Sequence, residues 1–285
     1  MIRLANTELA VDLLHPVDDR ALLGPRFCTG GYIYQIEDLR RSAPLLTGPE
    51  YPSATPLVIN GQGMPDVFQH TLYASESEVA EKKLIIGVGL LDNSAGQKPS
   101  DLHFKLPVEA FCEWEITTPN AESVTMKTRQ EWKTYVLELE RTVTLRERHV
   151  VLATRIRNAS EAPITVRMFS HPFFPRMEGS DSCMPEFSCV LPENPGFFRR
   201  GDGSIGLVPS YDWRQGCFLM LEETQGKYFS MRMRHPVSGE LSMSLDYPLL
   251  KVALWANDKT FSIEPFIERA IAPGSDASWS VTYRF

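Results

Sequence analysis

Turn-forming residues punctuate this chain so evenly that no long helix fits between them. The 21 prolines and 18 glycines are spread over the whole 285-residue length. Proline inside a helix removes a hydrogen bond and clashes with the preceding turn. Between the breaks, apolar and polar residues alternate, as in Tyr135–Leu145, which reads Tyr-Val-Leu-Glu-Leu-Glu-Arg-Thr-Val-Thr-Leu. A period of two marks a strand with one buried face. Similar β-rich runs occupy Lys83–Leu91, Phe111–Ile116, Ser123–Arg129, His149–Asn158 and Ile164–Ser170. The second half continues with Gly216–Glu222, Tyr228–Arg234, Leu241–Leu245, Lys251–Trp255, Phe261–Glu264, Ile267–Ile271 and Ser278–Phe285. Glu8–Leu14 fits a strand or a short helix, and residues 41–66 read as a long loop with one short strand at Pro56–Asn60. Turns fall about ten residues apart, the spacing of an antiparallel sandwich or barrel. The expected fold is therefore all-β, a large antiparallel β-sandwich. No repeat of propeller length and no linker interrupts it, so residues 1–285 are expected to form one domain.

Composition narrows the function. Hydrophobic residues make up 43 % of the chain, enough for a sizeable core. The net charge is −7 and no basic cluster stands out, which argues against nucleic acid as a partner. No apolar run approaches the length of a membrane span, and the first residues lack the apolar stretch of a secretion signal, so a cytoplasmic location is expected. The five cysteines, Cys28, Cys112, Cys183, Cys189 and Cys217, are odd in number and contain no Cys-x-x-Cys. Buried thiols are expected rather than disulfides or a metal site.

One short stretch invites chemistry. Phe169–Phe174 reads Phe-Ser-His-Pro-Phe-Phe, directly after the Ile164–Ser170 run. It puts His171 at the end of a strand with aromatic residues beyond it. Imidazole works as acid or base near neutral pH. Phe173, Phe174 and Trp213 offer flat apolar surface of the kind a pyranose face stacks on. Glu264 precedes Pro265, which holds the local backbone extended. Structural roles remain open for each residue. His171 fits a strand cap, Glu264 a partner for Arg269, Asp212 a turn residue and His103 a loop histidine.

Several segments, in their order, resemble aldose 1-epimerases (galactose mutarotases). Asn158–Pro163 leads along Ile164–Phe174 to a histidine and an aromatic pair. Lys251–Trp255 is followed by Phe261-Ser-Ile-Glu-Pro, similar to the family's strand that ends in a glutamate. Ala272-Pro-Gly followed by Trp279–Tyr283 resembles the family's closing strand, and Gly30-Gly-Tyr-Ile its early Gly-Gly strand. His103 stands eleven residues before Trp114, as a family histidine does before a tryptophan, with Phe104 and Lys105 in place of two glycines. No segment matches the family's sugar-binding arginine. The resemblance implies a supersandwich that binds a small-molecule sugar in a cleft, without cofactor or metal. It implies His171 as the acid that protonates the ring oxygen and Glu264 as the base that takes the anomeric proton. It further implies Asp212 and His103 as sugar-binding residues. The missing glycines and arginine leave a second expectation, a non-catalytic carbohydrate-binding protein on the same scaffold. That scaffold also serves as a domain in other enzymes, so fold alone does not decide between them.

Overall fold

The computed structural model describes residues 1–51, 60–69, 81–94, 96, 106–177, 179 and 182–285. Among these residues helix is confined to single 3-10 turns such as Arg20–Leu22 and Trp213–Gln215. The rest of the regular structure is strand, and the paired strands run antiparallel. No helix among the described residues is long and apolar enough to cross a membrane.

Two large sheets carry the architecture. The first has ten strands, in the order Phe197–Arg199, Ile205–Leu207, Ser182–Pro185, Tyr228–His235, Gly239–Pro248, Asp276–Arg284, His149–Asn158, Tyr135–Arg146, Ser123–Trp132 and Glu115–Asn120. The second runs Cys217–Leu221, Lys251–Ala256, Thr260–Ile271, Ile164–Ser170 and Asp66–Phe68, with Phe174–Pro175 pairing onto Thr260–Ile271. Smaller four- and three-stranded sheets are built from residues 2–44 and 82–111. Side chains from the two large sheets meet in the main core, where Val143 and Leu152 of the first join Val166, Leu254 and Ile263 of the second.

The alternation of side chains decides what the six-stranded sheet does with its other face. In Ile164–Ser170, residues 164, 166 and 168 enter the main core. Phe169 enters a smaller cluster together with Phe27, Tyr32, Phe173, Ala253 and Phe266. The same parity holds in the neighbours. Val252, Leu254 and Ala256 join the main core while Ala253 joins the smaller cluster. Successive residues of a strand point to opposite faces. This sheet therefore has two buried faces, and its second face is where the chemistry collects.

Several expected boundaries shift. Ile164–Ser170 and His149–Asn158 appear as read, and Glu8–Leu14 yields the strand Leu9–Leu13. Lys83–Leu91 is not one strand but a hairpin, Lys82–Ile85 paired with Gly89–Asp92. Gly87 and Gly89 take φ of 70° and 133° at the bend, values that favour glycine. Both arms are largely buried, so no polar interruption betrays the turn. Phe111–Ile116 straddles the end of Val108–Phe111 and the start of Glu115–Asn120 instead of forming a strand. Phe261–Glu264 and Ile267–Ile271 are one strand, Thr260–Ile271, and Pro265 lies within it. Its neighbour on one side changes there, from Phe169 opposite Phe266 to Phe174 opposite Phe261, so the proline falls at a gap in the ladder. Of the proposed strand at Pro56–Asn60, residues 56–59 lie outside the described residues.

Gly30 shows how close the packing is. A Cβ on Gly30 would stand 2.2 Å from a ring carbon of Trp114, whose indole N–H donates to Thr29 Oγ1 at 2.9 Å. Gly30→Ala is expected to displace that ring and cost about 1–3 kcal/mol, the usual toll of overpacking. Gly201→Ala, with nothing near its Cβ, is expected to stay within about 0.5 kcal/mol of the wild type. Urea unfolding of the two variants, followed by tryptophan fluorescence, checks the contrast.

Candidate active site

His171 and Glu264 arrive on the second face of the six-stranded sheet by strand register. Phe169 pairs with Phe266. Two residues further along each strand, His171 follows on one and Glu264 precedes on the other, so the imidazole and carboxyl fall beside each other. His171 Nε2 lies 3.5 Å from Glu264 Oε1. Ser262, one more step along the same face, places Oγ 3.2 Å from His171 Nδ1. The backbone N–H of His171 donates to Pro65 O at 2.8 Å, which ties the end of this strand to the start of Asp66–Phe68.

Aromatic rings fix the imidazole further. Phe173 stacks on it with centroids 4.3 Å apart, and Trp255 meets it edge-on at 5.9 Å. Phe27 approaches from the third side at 6.3 Å. The pair is 4 % and 3 % exposed, yet both residues line a cavity of about 560 Å³. Phe169, Phe266, Trp255, Met220 and Phe218 supply its apolar wall, and Arg26, Lys251, Gln69 and Asn60 its polar groups. Phe218, 58 % exposed, stands on the edge strand of the sheet. An apolar hollow with a few convergent polar groups has the make-up of a small-molecule site.

Burial sets the protonation of the pair. It raises the Glu264 carboxyl to about 7, against the opposing pull of the Arg26 cation. Burial, with Arg26 acting in the same direction, holds the His171 imidazole well below its usual value. Low dielectric disfavours the charged form of either group. Near neutral pH the imidazole is therefore uncharged, and a proton carried by the pair sits on Glu264, whose carboxyl is close to its midpoint of ionisation. This is the reverse of the acid and base roles that the resemblance implies for a working enzyme.

The remaining expected site residues go elsewhere or lie out of view. Phe174 points into the main core, where its ring meets Tyr283 at 6.4 Å, because it has the opposite parity to Phe173. Asp212 and Trp213 are not among the residues that line the cavity. Asp212 caps the 3-10 turn Trp213–Gln215, and its carboxylate accepts from Arg214 Nε at 2.8 Å and Nη2 at 3.0 Å. That contact pulls its pKa down to about 2 and leaves it a turn residue. Trp213 is buried against Phe197 and Tyr211, and its N–H is committed to Val208 O at 3.0 Å. It borders a separate hollow of about 310 Å³ with Arg176 and Arg200. His103 lies outside the described residues. Glu264 forms no pair with Arg269, whose guanidinium lies over Tyr247.

Sequence reasoning missed Arg26, Lys251, Gln69 and Ser262. Ser262 had a usable signal, since it shares parity with Glu264 on its own strand, whereas no residue of Lys251–Trp255 was a candidate from which Lys251 could take its direction. Arg26 and Gln69 sit in irregular backbone, where no periodicity announces a direction. Among the described residues no cluster of three or more His, Cys, Asp or Glu side chains is placed to hold a metal ion.

No family model matches the sequence, and no curated protein matches it either. Solved structures do match. A galactose mutarotase related enzyme from Lactobacillus acidophilus is 11 % identical, with a TM-score of 0.63 over 99 % of this chain and 96 % of its own. A galactose mutarotase-like protein from Lactobacillus casei is 12 % identical, with a TM-score of 0.59 over 100 % of this chain and 99 % of its own. A galactose mutarotase-like protein from Clostridium acetobutylicum is 10 % identical, with a TM-score of 0.54 over 99 % of this chain and 93 % of its own. At these identities the likeness speaks for architecture, and it runs nearly end to end. The chain has the galactose mutarotase-like β-sandwich fold.

Proposed function

We propose that this chain is an aldose 1-epimerase-type isomerase, which binds a sugar in the 560 Å³ cavity and interconverts its anomers with His171 and Glu264. The observation that carries the reading is a buried imidazole and carboxyl 3.5 Å apart in the wall of a cavity with aromatic sides. Anomer exchange needs one proton delivered to the ring oxygen and one removed from the anomeric hydroxyl. The C1–O5 bond then breaks, the open-chain carbonyl turns, and the reverse steps close the ring on its other face. Protons balance within the pair, because the proton given by one member is replaced by the one the other receives. A pair that holds a single proton meets this need in either of its two arrangements. The aromatic surfaces suit the apolar face of a pyranose.

Saturation-transfer NMR between α and β anomers, with and without protein, tests the reading. A panel of aldoses, 6-deoxy sugars, sugar acids and sugar phosphates is expected to show faster exchange for one class. Sugar binding without faster exchange would make the chain a binding protein. No binding and no exchange by any sugar would end the sugar reading.

The pH dependence follows from the pair. Above about 7 Glu264 loses the shared proton, and the N–H of the neutral imidazole is too weak an acid to replace it. Below the lowered pKa of His171 both members are protonated and no acceptor remains. The profile of kcat/KM, which reports the free enzyme, is expected to be bell-shaped. Its alkaline limb should lie near 7 and its acid limb below 6.5. An alkaline limb unmoved by Glu264→Asp would assign that limb to another group.

A further inference from the structure

Lys251 lines the same cavity as His171 and Glu264 and has no acidic partner there among the described residues. Its ammonium stands 4.7 Å over the Phe266 ring. Among the described residues no carboxylate comes within ion-pair distance of it. The charge that acts on it is another cation, Arg167, which lies two strands away across Thr260–Ile271 and is tied to Glu268 through Nε at 2.6 Å. The residue is half-buried, so water does not fully replace the missing counter-charge. Desolvation and Arg167 together disfavour its charged form.

The sheet register gives the position of this amine relative to the chemistry. Ala253 pairs with Glu264 and Lys251 with Phe266. Lys251 and Glu264 are thus diagonal neighbours across two strands, about 7–8 Å apart at the backbone, a separation long side chains span. Among the described residues the cavity wall carries two cations, Arg26 and Lys251, against the one carboxyl of Glu264. Arg26 and Glu264 act on each other. Lys251 is left over. A neutral sugar would desolvate that ammonium further and give it no counter-charge. A clustered charge of one sign in a low-dielectric cleft favours a ligand of the other sign.

We infer that the sugar this site takes carries an anionic substituent, a carboxylate or a phosphate, and that Lys251 receives it away from the anomeric centre. The inference rests on the sugar reading of the cavity and adds the charge of the substrate. A charge-assisted hydrogen bond from the ammonium to an anionic oxygen would hold the ring in place over Phe266 and Phe169.

The test compares three forms of one hexose: the neutral sugar, its uronic acid and its 6-phosphate. Binding is measured by titration calorimetry and anomer exchange by NMR, at low and high salt. At least one anionic form is expected to bind about 10- to 100-fold more tightly than the neutral sugar, the worth of a hydrogen bond to a charged group. High salt should narrow that preference. Lys251→Gln should reduce the ratio of anionic to neutral affinity towards one, and Lys251→Arg should keep most of it, which separates lost charge from lost folding. Whichever anion shows the preference identifies the substituent. Equal affinity for charged and neutral sugars, or a ratio unchanged in Lys251→Gln, overturns the inference and leaves the sugar reading standing. Tight binding of an anionic sugar without exchange supports Lys251 as an anion receiver and removes the catalytic role. No binding by any of the three overturns both.

Discussion

Asp66→Ala is expected to destabilise the protein by about 3–5 kcal/mol, because it leaves a buried guanidinium without its counter-charge. Arg141 comes from the ten-stranded sheet and Asp66 from the six-stranded one, and both side chains are 1 % exposed. Arg141 Nη2 donates to Asp66 Oδ2 at 2.5 Å, and Ser170 Oγ donates to Asp66 Oδ1 at 2.6 Å. Arg141 Nε and Nη1 have no hydrogen-bond partner among the described residues. Such a half-satisfied ion pair contributes little net stability when intact, yet breaking it is costly. The paired replacement Asp66→Leu with Arg141→Met is therefore expected to recover most of the loss. Urea unfolding of the single and double variants decides the matter. Losses that simply add in the double variant would mean that the two side chains are not coupled. The site should feel the single change as well. Asp66 holds Ser170, the residue before His171, and the His171 N–H rests on Pro65.

His171→Ala and Glu264→Gln are each expected to slow anomer exchange by about 10²- to 10⁴-fold, the usual share of one acid or base group. Glu264→Gln keeps the shape of the side chain and removes only its ability to exchange a proton, so the fold should survive. If the two residues work as one proton-carrying unit, the double variant should be no slower than the slower single variant. Multiplied losses would assign them to separate steps. Unchanged rates in both single variants would remove the proposed mechanism. These measurements use the sugar that wild type accelerates best.

Much of this site was legible from the chain because its main strands are regular. Ile164–Ser170 alternates cleanly and stops at Pro172, so His171 had to sit at a strand end. Glu264 is picked out by the resemblance of Phe261–Pro265 to the family's strand that ends in a glutamate, with Pro265 as local support. What stayed hidden was direction. Phe173 and Phe174 look equivalent in sequence, but one faces the cavity and the other the core. Asp212 and Trp213 precede a strand of the right sheet, yet the 3-10 turn they open spends their polar groups locally. The Arg141–Asp66 pair did leave a trace. In Tyr135–Leu145 the buried positions 137, 139, 143 and 145 are apolar, and Arg141 occupies the slot between them. A charge in phase with a core stripe implies a buried partner, though not which one. The hairpin at 82–92 left no such trace, since the residues next to the bend, 84–86 and 90–91, are apolar and the glycines alone mark it.

The strands of the six-stranded sheet carry two interleaved messages. Read at 252, 254 and 256, at 261, 263 and 267, and at 164, 166 and 168, they spell a hydrophobic core. Read at 251 and 255, at 264 and 266, and at 169 and 171, they spell a ligand chamber. Because the two sets point away from each other, substitutions in one have few shared neighbours in the other. Mutational effects at sites without shared partners combine nearly additively. The chamber is thus free to change its ligand by exchanging alternate letters, while the letters between them keep the sandwich closed.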